Sequence, residues 1–278
     1  MSLIMLAKEA FLGELGVLGE SGVECTRLAT LDISAEVGPT RAYVKAFGTT
    51  NGDGFALRGL VNEVAGYFCA DAAGLPVPPR AGLIVVEPSM LGEPPEWMQP
   101  GSEHVCWWSE DVGSLSLRAR FNWDALPDGS VAQDDALQLI REVLLRYPGT
   151  PSVIALDDLI ANVDRNLGNV LCTPLGLSLI DHGHCLTGPQ WVSSDLRADA
   201  SYRNVVRQIL DAAGDTLPYK SSIMAAYRQI TLGIAPKLSE LKELLDVLVD
   251  AGDAEAAHEF LSTRSDPPSI AHRMGVVA

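Results

Sequence analysis

Apolar and polar positions change period several times along the chain, and each change marks an element. Residues 23–32 and 41–47 read as strands, with Ser34, Glu36, Gly38 and Pro39 supplying turn formers between them. The two runs predict an antiparallel hairpin. In the second, a period of two sets Tyr43, Lys45 and Phe47 on one face and Ala42, Val44 and Ala46 on the other. Residues 60–73 then follow helical spacing, with Leu60, Val61, Val64, Phe68 and Ala72 on one face and Glu63 at its border. Gly74 and the run Leu75-Pro76-Val77-Pro78-Pro79 stop that helix, and residues 81–86 form a short apolar strand ending in Glu87-Pro88.

Upstream, Gly16, Gly19 and Gly22 interrupt residues 15–23 and predict a glycine-containing loop before the first strand. Their spacing matches no strict phosphate-loop template, so a cradle for phosphate and an ordinary turn are both open at this point. Residues 89–131 are rich in Pro, Gly, Trp and acid, and read as loops and short elements, a place for a lid or insertion. Trp97, Trp107, Trp108 and Trp123 are expected to pack, since few basic residues accompany them as a base-stacking platform would require. Helical spacing returns at 132–147 and 152–163, and again at 201–213, 220–232, 237–251 and 253–263. No internal repeat stands out. The fold class expected is α+β: an N-terminal lobe over residues 1–88, an antiparallel sheet with one helix, and a mainly helical lobe over 89–278.

Composition narrows the partners. The chain has 278 residues, 47% of them hydrophobic, enough for one large core or two packed lobes. A formal charge of −16 repels phosphate backbones and anionic lipid surfaces, which excludes nucleic acid and membrane as general partners. The five cysteines are odd in number and include no C-x-x-C pair, so neither a disulfide framework nor a zinc site is expected. Nothing at the N-terminus resembles a basic start followed by an apolar core, and no run approaches the roughly 20 apolar residues of a membrane span. A reducing cytoplasm is the expected setting.

The chemistry concentrates in residues 155–186, ALDDLIANVDRNLGNVLCTPLGLSLIDHGHCL. Asp164 follows an apolar helix end, Asn169 comes five positions later, and a hairpin of residues 170–172 and 177–180 delivers Asp181 beside them. Magnesium prefers oxygen ligands, commonly one or two carboxylates together with nucleotide phosphates, and Asn169 and Asp181 suit that role. Asp164 can then orient a hydroxyl and take its proton. His182, His184 and Cys185 are read as structural, because no further thiolate or imidazole stands at zinc-like spacing. Lys45, in an apolar strand, needs a carboxylate or a ligand phosphate if it points inward, and Glu63 on the following helix is available. In a two-lobed nucleotide-binding fold, Glu87 would close the last strand before a hinge whose backbone can meet a purine edge.

Asp164-Arg165-x-x-x-Asn169 followed by Leu179-Ile180-Asp181-His182-Gly183-His184 resembles the catalytic and metal-binding segments of the HipA-like kinases and the related phosphatidylinositol 3/4-kinase-like superfamily. Asn62-Glu63 through Gly74-Leu75-Pro76-Val77-Pro78 and Tyr43-Val44-Lys45 resemble that family's helix and its nucleotide-lysine strand. The resemblance covers roughly residues 41–186. It implies a two-lobed protein-kinase-like fold and an ATP- and magnesium-dependent phosphotransferase acting on a Ser or Thr hydroxyl of a protein. Lys45 would contact ATP phosphates with Glu63 as its partner, Asp164 would be the base, and Asn169 and Asp181 would bind Mg2+; Gly19 and Gly22, outside the stretch that carries the resemblance, are candidates for the nucleotide's border from the glycine-containing loop alone. Two residues depart from the pattern: Asn166 stands where His is common, and His182 replaces the aromatic that often follows the metal-binding Asp. A lipid kinase, a small-molecule kinase and a nucleotide-binding pseudokinase acting as an interaction module are the alternatives.

Overall fold

The computed structural model describes residues 3–273 except 21–23, 35, 51–55, 175 and 212–216. The chain divides into two compact units, Met1–Leu60 with Pro78–Gly113, and Val61–Val77 with Ser114–Ala278. This differs from the expected division into 1–88 and 89–278, because residues beyond 88 contribute a strand to the first unit and the first helix contributes its length to the second.

The first unit is a six-stranded sheet: β1 (Ile4–Leu6), β2 (Phe11–Glu20), β3 (Glu24–Asp32), β4 (Pro39–Phe47), β5 (Ala81–Val86) and β6 (His104–Glu110), in the order β1-β5-β6-β4-β3-β2. The predicted hairpin is β3 and β4, paired antiparallel from Glu24↔Phe47 to Asp32↔Pro39. The sheet as a whole is mixed, which corrects the expectation of an antiparallel one. β1 lies parallel to β5, since a strand from the start of the chain enters at the far edge, beside a partner remote in sequence.

β2 is a second correction. Gly16 and Gly19 lie within this ten-residue strand and not in a loop, while Gly22 falls outside the described residues. The strand is built of triplets, Phe11-Leu12-Gly13, Glu14-Leu15-Gly16 and Val17-Leu18-Gly19, and its register against β3 steps once in each. Three residues of β2 thus oppose two of β3, the unmatched one being Leu12, Leu15 or Leu18. Glycine tolerates the sharp local twist that such bulges impose.

β6 was hidden in a segment expected to be loops. Its Trp108 and Cys106 are buried in a core with Ala42, Val44 and Ala46 of β4 and with Ile84 and Val86 of β5. Residues 87–103 close that core through Leu91 and Met98, with Trp97 packed alongside, so they serve as a cover over one sheet face. Burial in β4 alternates as predicted, with Tyr43, Lys45 and Phe47 on the face away from this core.

The second unit is mainly helical. It holds α1 (Gly59–Ala72) from Val61 onward, α2 (Leu117–Arg120), α3 (Val131–Arg146), α4 (Thr150–Leu159), α5 (Val205–Asp211), α6 (Leu217–Ile234), α7 (Leu238–Leu248), α8 (Ala251–Arg264) and α9 (Pro267–Arg273), with the two-stranded hairpin β7 (Val170–Thr173) and β8 (Gly176–Leu179). The helix at 60–73 had been expected in the sheet lobe; its Val61, Ala65, Phe68 and Cys69 join the helical core instead. Gly74, at φ 71, ends it, and Leu75 N donates to Ala70 O across the turn at 2.9 Å. Ser130 and Asp250 cap α3 and α8 by accepting from Gln133 N and Asp253 N. α4 is buried from Val153 to Leu159, which explains its apolar run and leaves two carboxylates, Asp157 and Asp158, inside the protein. Asp158 is answered by Arg264, Arg273 and the Tyr227 hydroxyl, which tie α8, α9 and α6 to it. No helix among the described residues is long and apolar enough to cross a membrane.

Candidate functional site

The loop that carries Asp164 is built by its own polar side chains. Beyond α4 the chain turns through Ala161, at φ 48, and Asn162 Oδ1 accepts from Asp164 N at 3.1 Å. Asn166, in the place where His is common in the resembling family, caps the next turn by accepting from Gly168 N at 2.7 Å. Its amide nitrogen donates to Asp164 Oδ2 at 3.0 Å. One carboxylate oxygen is therefore braced and the other has no hydrogen-bond partner among the described residues. Asn169 Nδ2 donates to Asp164 O at 2.9 Å, which commits the nitrogen and leaves Oδ1 as the acceptor of that side chain.

The β7–β8 hairpin brings Asp181 to the same end. Val170 pairs with Leu179, and Ile180 N donates to Asn169 O at 3.2 Å, so Asn169 and Ile180 flank the open end of the ladder. Asp181 follows at φ 58, a left-handed conformation that costs a non-glycine residue about 1 kcal/mol or more. Arg165 holds it there. Its Nη1 donates to Ile180 O at 2.5 Å and Asp181 O at 3.3 Å, and Nη2 lies 3.0 Å from His182 Nδ1. The guanidinium charge is met by Asp157 at 3.2 Å, with both side chains fully buried. Burial pushes the Asp157 carboxyl up to about 6 against the opposing pull of Arg165.

Glu63 reaches this loop from α1. It is buried, and its Oε2 accepts from His182 N at 2.9 Å. A methyl group at Gly183 would stand 3.5 Å from Asp181 Oδ1 and 3.8 Å from Glu63 Oε1, so two carboxylates border one small space that glycine leaves open. Asn169 Oδ1 and Asp181 are hard oxygen donors, and donors of that kind fit magnesium better than a softer metal. Among the described residues no three His, Cys, Asp or Glu side chains gather as a cage able to hold a metal by themselves. Cys185 is buried and its thiol is pushed well up by burial, in keeping with a packing role.

The remaining sequence-derived candidates belong to the first unit. Lys45 is central in β4, its side chain 12% exposed, with Nζ 4.0 Å from Glu24 Oε1. Gly19 sits in β2 in the last pair but one of its ladder, opposite Thr26, which itself pairs with Lys45. Glu87 is engaged elsewhere: its carboxylate accepts from Lys8 Nζ at 2.5 Å and is held below the usual carboxylate range by that contact. β5, moreover, is followed by β6 in the same sheet, so Glu87 does not close the last strand of its unit.

Asp157, Arg165 and Asn62 were not singled out as site residues from the sequence. A signal existed for the first: Asp157-Asp158 follows the apolar run Val153-Ile154-Ala155-Leu156 and precedes Leu159-Ile160, and a carboxylate in a buried helix requires a cation. For Asn62 the cue is weaker, a polar side chain one position ahead of Glu63 with nothing local to satisfy it.

No family model matches the sequence, and no curated protein matches it. Solved structures do match the fold. Among them is the proinflammatory kinase CtkA of Helicobacter pylori, with a TM-score of 0.59 and 13% sequence identity, covering 96% of this chain and 96% of that one. At that identity the likeness speaks for the fold: an α+β, kinase-like architecture with a mixed-sheet N-terminal lobe and a helical C-terminal lobe.

Proposed function

We propose that the chain is an ATP- and magnesium-dependent phosphotransferase that passes the γ-phosphoryl group of ATP to a serine or threonine hydroxyl of a protein. The observation that carries this reading is the gathering of Asp164, Asn169 and Asp181 around the open end of one hairpin, with Asn169 Nδ2 tied to Asp164 O and one Asp164 oxygen left for a substrate. Likeness of fold to a kinase supports it further.

In this reading the acceptor hydroxyl gives its proton to Asp164 as its oxygen bonds to phosphorus and the bond to the ADP oxygen breaks. Asn166 keeps the carboxylate oriented for that transfer. Asn169 and Asp181 would hold magnesium, which when bound offsets the phosphate charge and fixes the phosphates in line. Lys45 is assigned to the ATP phosphates, Glu63 to that lysine, and Gly19 of β2, with Gly22 from the sequence, to the nucleotide's border. Glu87 is not carried forward, since Lys8 occupies its carboxylate. The acidic surface, at −16 overall, disfavours an anionic lipid surface as the acceptor's home. A cytoplasmic setting is part of the proposal, where both ATP and reduced thiols are available.

Purified protein incubated with γ-labelled ATP, magnesium and a cell lysate should place label on one or a few protein bands. Label confined to lipid or a small molecule would replace the acceptor class, and the absence of any labelled product would contradict the reading.

A further inference from the structure

Residues 181–191 leave β8, fold back on themselves and are held at several points by neighbours in the same unit. Asn62 on α1 is the centre of that arrangement. It is fully buried, and its single amide nitrogen donates to Gly183 O at 2.8 Å and to Gly188 O at 2.9 Å, bridging the two ends of the turn. Its Oδ1 accepts from Trp191 Nε1 at 2.9 Å, and its backbone oxygen accepts from Cys185 Sγ at 3.1 Å. The Asn62 side chain therefore uses both amide hydrogens and its oxygen on this one segment. The loop beyond α4 grips the other side. Leu186 N donates to Ile160 O at 2.8 Å, Thr187 N to Ala161 O at 3.2 Å, and Val163 N to His184 O at 3.1 Å.

Leu186 and Thr187 lie at φ 51 and φ 78, two consecutive left-handed non-glycine residues. Such backbone persists only when its surroundings over-determine it. Next along α1, Glu63 takes His182 N, and Gly66 lets His182 approach so closely that a methyl there would lie 2.3 Å from its Cβ. In protein kinases the helix glutamate and the metal-binding aspartate must both be in place, and phosphorylation of a flexible segment often decides whether they are. Here the helix with Glu63 and the segment with Asp181 are bound directly to each other.

We propose that Asn62 is a positioning residue that holds residues 181–191 as a fixed strap, so that Asp181 and Glu63 are set before nucleotide or metal arrives and without modification of the segment. This deepens the phosphotransferase reading and rests on it for the role of Asp181. Loss of one strap hydrogen bond should loosen the strap and, with it, the metal carboxylate, while the core of the unit stays packed.

Hydrogen exchange on the protein free of nucleotide and metal tests the strap, and electron paramagnetic resonance of Mn2+ with a non-hydrolysable ATP analogue tests the positioning. The amides of Leu186 and Thr187 should be protected in the unliganded, phosphatase-treated protein. In Trp191→Phe, which deletes the indole N–H and, with it, part of a buried ring, their exchange should rise roughly tenfold or more, from the lost hydrogen bond and the lost packing together. Mn2+ affinity should fall by a similar factor, and Asn62→Asp, which turns oxygens toward two carbonyls, should exceed both effects if it folds. A merely structural Asn62 would change exchange and leave Mn2+ affinity alone, which would overturn the positioning role. Leu186 and Thr187 amides that exchange freely until nucleotide is added or the segment is phosphorylated would overturn the strap. Failure of wild-type protein to bind Mn2+ with the analogue would count against the phosphotransferase reading, with exchange still deciding the strap.

Discussion

At Asp157, burial and the Arg165 guanidinium pull in opposite directions, and burial prevails, setting the carboxyl at about 6 against an ordinary 3.8. Between those values the folded chain holds a proton that the unfolded chain has released. The contribution of this group to stability is thus fully present below 3.8 and is lost as pH rises through 6. Going from pH 7 to pH 5, wild-type protein should gain about 1.4 kcal/mol of unfolding free energy relative to Asp157→Asn, since one pH unit on a singly titrating group is worth about that much. Urea titrations of both proteins at the two pH values check this, and parallel pH dependence would show that Asp157 ionises normally. The same residue shows why part of the site escaped the sequence. Asp164, Asn169 and Asp181 stood out because oxygen donors at that spacing flank a legible hairpin. Asp157 and Asn62 sit inside apolar helices, and nothing local reveals which distant backbone or guanidinium group they serve.

Helix α1 was legible as an element but not in its allegiance. Its apolar face predicted burial correctly, yet the face could not name its partner, and the helix packs with the helical core and the 181–191 segment. Gly66 records that packing. Alanine there would gain up to about 1 kcal/mol in helix propensity, but a Cβ 2.3 Å from His182 Cβ forces a shift, and overpacking of a tight contact commonly costs about 1–3 kcal/mol. Gly66→Ala should therefore destabilise the protein by about 1 kcal/mol or more, seen as a lower denaturation midpoint; an increase would mean that the helix and the segment separate freely. Strands β2 and β6 were missed for two different reasons. In β2 a triplet with glycine at every third place has neither the period of a strand nor that of a helix, because each bulge resets the alternation. In β6, His104 to Glu110 is short and set among Pro, Gly and acidic residues, so its two tryptophans looked like loop packing when they are strand neighbours on opposite faces.

For the whole molecule, the α+β class and the sheet-then-helix order were readable because hydrophobic period survives on single elements. The division at Gly113 was not, because it depends on β6 pairing with β4 and β5 across long stretches of chain. The central claim is that Asp164 and Asp181 serve phosphoryl transfer from ATP. Turnover of γ-labelled ATP by wild-type protein, Asp164→Asn and Asp181→Asn tests it most directly, with circular dichroism as the check on folding. The account predicts magnesium-dependent turnover in the wild type and, in each folded variant, a fall of roughly 10²-fold or more, the usual scale for loss of a general base or of a group stabilising the transferred charge. Turnover in both variants equal to that of the wild type would contradict it.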